Sequence, residues 1–71
     1  MRFYISSFRK TTTGKKRVYI DADTLKEASD IFFGINDHIS YDDIDFIMDQ
    51  YEFISKYQMS IVNTFKNYKE V

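Results

Sequence analysis

Apolar and polar positions alternate along the first third of the chain. Residues 2–9 and 16–22 are rich in aromatic and β-branched types, the mark of half-buried strands. Between them lies Thr11-Thr12-Thr13-Gly14, and a glycine adopts the positive φ that closes such a loop. The pattern predicts a β-hairpin over residues 2–22. With Lys10 opposite Lys15, the pairs Phe3–Ala22, Ile5–Ile20 and Ser7–Val18 share one face. Tyr4, Ser6 and Phe8 then share the other face with Asp21, Tyr19 and Arg17. A slip by one residue would mix the two faces.

The spacing then turns helical. Thr24-Leu25-Lys26-Glu27 has the form of a capping box, in which hydroxyl and carboxylate satisfy free backbone N–H groups at a helix start. Leu25, Ala28, Phe32 and Ile35 fall on one face with Ile31 beside them, and Gly34 is a stop signal. This predicts a helix over 24–34. Ser40-Tyr41-Asp42-Asp43 is a second capping box, with Ile39 and Ile44 at the staple positions around it. Asp42, Asp43 and Asp45 crowd the turns after it and Lys66 and Lys69 the far end, as a helix dipole prefers. Ile44, Ile47, Tyr51, Ile54, Gln58, Ile61, Phe65 and Tyr68 recur at alternating steps of three and four, with no Gly or Pro after Gly34. The spacing predicts one long helix over 41–69. A rival pattern runs through it: Tyr51, Phe53, Tyr57, Met59 and Ile61 also fit a strand, and Asp49-Gln50 is a point where the helix would break. The expected fold is α+β, a single domain spanning 1–71. In it a two-stranded antiparallel hairpin packs on two helices, in the order ββαα, the second helix long.

Size sharpens the question of stability. A chain of 71 residues buries a modest fraction of its surface, and small scaffolds usually add a disulfide, a metal or a partner. There is no Cys and one His, which removes disulfides, thiolate metal sites and a histidine zinc site. No metal and no cofactor is expected. Packing or association remains, and a composition 44% hydrophobic and 18% aromatic suits both. No signal-peptide or membrane-helix run is visible, so the expected location is the cytoplasm. Phe, Tyr, Met, Ile, Asn and Lys make up 35 of the 71 residues. That skew follows from an A/T-rich genome, as in low-GC bacteria, their phages and mobile elements.

Net charge is −1, but the charges are sorted. Residues 1–20 hold six bases and no acid; residues 21–55 hold ten acids and one base. Such asymmetry is a binding signal. Arg9, Lys10, Lys15, Lys16 and Arg17 stand around Tyr4 and Tyr19 on the hairpin. Bases that neutralise phosphate between rings that stack on nucleobases suit nucleic acid. The predicted long helix carries Phe46, Phe53 and Tyr57 on one side of its stripe and Met48 and Val62 on the other. Together they widen the apolar arc to about 200°, beyond the ~100° of an ordinary surface helix. That surplus suits a protein interface or a homodimer through the long helix. The acidic stretch 37–52 is a candidate phosphate mimic or a solvated face.

Catalytic chemistry finds no footing. Thr13-Gly14-Lys15-Lys16 lacks the earlier glycine of a phosphate loop, since position 9 is Arg9. Asp21-Ala22-Asp23 reads as helix-start chemistry, and His38 lacks an orienting group and a nucleophile. No catalytic or metal-binding residue is predicted. The expected function is a small non-enzymatic protein-interaction module of phage or mobile-element type that binds and modulates a host protein. The alternative is nucleic-acid binding through the basic hairpin.

Overall fold

A computed structural model describes residues 1–57 and 59–68. The first strand, β1, runs over Arg2–Ser7 and pairs antiparallel with β2 (Arg17–Asp21). The hairpin therefore forms where alternation predicts it. Its register differs: Phe3 stands opposite Ile20 and Ile5 opposite Val18, two residues from the predicted pairing. The loop is the reason. Thr11 N and Oγ1 both donate to the Lys15 carbonyl, at 2.9 and 2.7 Å, and Gly14 turns at φ 82° with its N–H on the Thr11 carbonyl. Residues 8–10 leave the ladder early, and Phe8 N donates to the Asp43 carbonyl instead.

Helix α1 (Leu25–Ile35) starts at the predicted cap: Thr24 Oγ1 accepts from Glu27 N at 3.1 Å. It ends at Asn36, not at Gly34. The Asn36 side chain is buried, donates to the Phe32 carbonyl at 2.9 Å and accepts from Thr12 N at 2.8 Å. One amide thus closes the helix and ties it to the hairpin loop. Ala28 and Phe32 are fully buried as the spacing predicts, but Leu25 and Ile35 face solvent.

The long helix over 41–69 does not form, so the ββαα fold with its two-stranded sheet is corrected. Tyr41–Asp43 make one turn of 3-10 helix, and the chain continues as strand β3 (Ile44–Asp49). Helix α2 (Gln50–Lys56), a four-residue turn α3 (Met59–Val62) and a two-residue strand β4 (Lys66–Asn67) follow. The sheet has four strands in the order β3-β1-β2-β4, antiparallel except for the parallel β2–β4 pair. The capping box Ser40–Asp43 exists, but on the 3-10 turn. At Asp49 strand gives way to helix: its carboxylate accepts from Glu52 N at 2.8 Å and caps α2. Gln58, at the predicted helix seam, and Lys69, near its end, lie outside the described residues.

Both faces of the sheet are covered, which explains why β3 does not read as a strand. On one face Phe3, Ile5, Val18 and Ile20 pack with Ala28 and Phe32 of α1 and with Ala22 and Ile39. On the other, Tyr4 stacks on Phe53 of α2 with ring centroids 4.5 Å apart and meets Phe65 edge-on at 5.3 Å. A strand with an apolar layer against each face, even a partly buried one such as β3, is apolar at successive positions rather than alternate ones. Phe46-Ile47-Met48 is such a run, and within it helical spacing fits by accident.

Candidate functional site

The residues singled out for a protein interface come together, but against the fold's own second half-core, where Phe53 is buried and the other four are partly so. Phe53 is fully buried, and Phe46, Met48, Tyr57 and Val62 pack around it, Tyr4 and Phe65. Phe46 and Tyr57 stack at 5.5 Å. The surplus apolar arc of the predicted helix is the second half-core of a three-layer fold. Outer positions of the same segment stay exposed instead: Tyr51 is 68% and Ile54 52% accessible.

The basic hairpin is divided in the same way. Tyr4 is buried against Phe53 and offers no ring to a base. Tyr19 is half-buried, and the Arg2 guanidinium lies 4.0 Å from its ring centre. Burial opposes the charge on Arg2, but hydrogen bonds with Tyr4 and Asp21 outweigh it and raise its pKa above the usual arginine value. Arg9 reaches Asp43 at 3.2 Å, and Arg17 donates to Thr64 Oγ1 at 3.2 Å. Lys10 and Lys16 are exposed on the loop, Lys15 is half-buried beside them, and Phe8 is 62% exposed. Stacking through Tyr4 is therefore corrected. An exposed basic loop with one aromatic, Phe8, is what remains of that surface.

Residues doubted for chemistry sit in structural roles. Asp21 pairs with Arg2 at 3.4 Å, Asp23 N donates to Glu27, and His38 Nε2 lies 2.9 Å from the Lys10 carbonyl. Among the described residues no group of three or more His, Cys, Asp and Glu is placed to hold a metal. A cavity of about 330 Å³ opens between Met1, Arg2, Tyr4, Asp21, Gln50 and Ile54. Its polar groups already satisfy one another: Arg2 N donates to Gln50 Oε1 at 3.2 Å, and Arg2 Nε to Asp21.

The outer edge of β3 has no counterpart among the surfaces expected from the sequence. Ser7 N donates to Lys16 and Ala22 N to Met1, so the odd residues of β1 bond to β2. The even ones, Tyr4 and Ser6, then bond to Met48 and Phe46 of β3. Ile47, between them, turns its N–H and C=O outward, where no described strand pairs with it. A bulge opposite Ser6/Ser7 leaves Asp45 as the extra, unpaired residue of β3 and marks the other end of the segment, where Ser7 Oγ donates to the Asp43 carbonyl at 3.3 Å. Edge position is not written in local spacing, so only the pairing partners reveal it. Asp45 and Asp49, which bracket Ile47, are the available signal, since strand edges collect charge.

No protein-family model, no curated protein and no solved structure matches the chain. Among the described residues, no helix is long and apolar enough to cross a membrane.

Proposed function

We propose that this chain is a small protein-interaction module, without enzymatic activity, that binds and modulates another protein in the cytoplasm. The observation that carries the reading is the contrast within the sheet. Five of the six residues of β1 are buried, whereas none of β3 is, and among the described residues no strand pairs with the outer side of β3. The phage or mobile-element origin suggested by composition makes a host protein the natural partner. A homodimer through a helix over 41–69 is no longer a route, because that helix is absent.

A photoreactive phenylalanine analogue placed at Phe8, Asp45 or Tyr51 tests this in a low-GC bacterial host. The expected result is a reproducible crosslink to one and the same protein from at least one position. Crosslinks from none of the three, or only to abundant proteins at random, would remove the reading.

The exposed loop favours a second reading, nucleic-acid binding by Lys10, Lys15, Lys16 and Arg17 with Phe8. Phosphate contacts make affinity fall steeply with salt. Anisotropy with single-stranded DNA at low salt should then show binding that Lys15→Glu with Arg17→Glu abolishes; binding indifferent to that pair would reject it.

A further inference from the structure

We infer that the open edge of β3 takes an extended, basic segment of the partner protein as a fifth strand of the sheet; this rests on the interaction reading above. Three properties of the edge point to that occupant.

The first is backbone capacity. Ile47 presents an N–H and a C=O that β1 does not use, in a strand of ordinary length, and an added strand recognises its host through such groups. The second is unfinished packing. Phe46 and Met48 lean on one half-core, Ile44 and Ile47 on the other, and all four are only partly buried. Alternate side chains of a docked strand would reach both half-cores.

Charge is the third. Residues 41–52 contain five acids and no base. Arg9 pairs with Asp43 and Lys56 with Glu52, while Asp42 and Asp45 have no ion-pair partner among the described residues. An edge of this sign repels phosphate and welcomes Lys and Arg. The same charges disfavour a second copy. Pairing β3 with itself about Ile47 sets Asp45 opposite Asp49 twice, and like charges directly opposite destabilise a strand pair. Acids on an edge therefore prevent self-pairing while leaving a basic strand free to bind.

The probe is a capped synthetic peptide of about seven residues, the length of an ordinary strand, with Val at its centre, Lys two places to either side and Thr elsewhere. Three peptides are compared by NMR titration of the full chain: this one, its Glu counterpart, and the Lys peptide N-methylated at the central Val. The Lys peptide is expected to shift and protect the Ile47 amide. It should bind about tenfold tighter than the Glu peptide, as two attractive cross-strand pairs replace two repulsive ones. N-methylation should abolish binding. Asp45→Lys, at an exposed position, should erase the preference for Lys. Equal binding of Lys and Glu peptides, or a Lys peptide that leaves the Ile47 amide unmoved, overturns the inference. Crosslinks from Phe8 or Tyr51 combined with an unmoved Ile47 amide would leave the interaction module standing and remove only its edge.

Discussion

Asp43 is held by more groups than any other carboxylate described. Its Oδ2 accepts from Ser40 N at 3.0 Å and from the Ser40 hydroxyl at 3.3 Å, and its Oδ1 from Arg9 Nε at 3.2 Å. The Ser40 backbone bond does most to lower its pKa below the ordinary 3.8; burial opposes this, and Arg9 adds to it. A carboxylate whose pKa is depressed by folding stabilises the fold fully above the unfolded value. That contribution is lost as pH falls through the lower, folded value. Asp43→Asn should therefore be less stable than the wild type at neutral pH, and the gap should narrow at an acidic pH below the ordinary 3.8. Urea denaturation at both pH values checks this. A gap that persists in acid would mean that shape, not charge, is at stake. The same residue anchors the entry to β3, since its carbonyl accepts from Phe8 N and Ser7 Oγ.

At the scale of elements, Asp49 ends one and starts the next. It is the last residue of β3 and the N-cap of α2, a helix of seven residues. So short a helix has little stability of its own and stays folded by packing, here through Phe53. Asp49→Ala should cost about 1 kcal/mol, the usual worth of such a cap. Because α2 covers the Tyr4 face, amide exchange should quicken in residues 50–56 before it does in β1. Uniform acceleration across both would contradict a local role. These elements also show how far the sequence is legible. Thr24 and Ser40 both announce a helical turn, and both turns exist, but a cap carries no information about length. The faces of the hairpin are readable because side chains alternate with period two. Its register is not, because a slip of two residues leaves every side chain on the same face. Strand β3 is hidden because it meets an apolar half-core on each face while staying only partly buried: Phe46, Ile47 and Met48 each pack against one half-core or the other, so no alternation survives. Of the candidate surfaces, the basic loop is legible, but the open edge depends on which strand pairs with which and cannot be read from spacing.

Across the whole molecule the sorted charges acquire positions. The basic first segment forms the two central strands and the loop between them, whereas acids stand on α1 (Glu27, Asp30), on the 3-10 turn (Asp42, Asp43) and on the outer strand β3 (Asp45, Asp49). The sheet is therefore closed at its centre and negatively charged at one edge. If like charge is what keeps that edge from pairing with its own copy, one substitution should reverse the outcome. In Asp45→Lys, pairing about Ile47 would set the introduced lysine opposite Asp49 at both ends, turning two repulsions into two attractions. Each change is worth a few tenths to about 1 kcal/mol, applied twice by symmetry and added to new backbone hydrogen bonds and to burial of the Phe46 and Met48 flanks. Asp45 is exposed, so the substitution should leave the monomer fold intact. Light scattering coupled to size exclusion, at two concentrations, is expected to give a monomer for the wild type and a mass rising towards twice that value for Asp45→Lys. High salt should weaken the variant dimer, as screening acts on exposed pairs. A variant that remains a monomer at every concentration would show that the bulge at Asp45, not its charge, closes the edge, and that a basic partner would fare no better there.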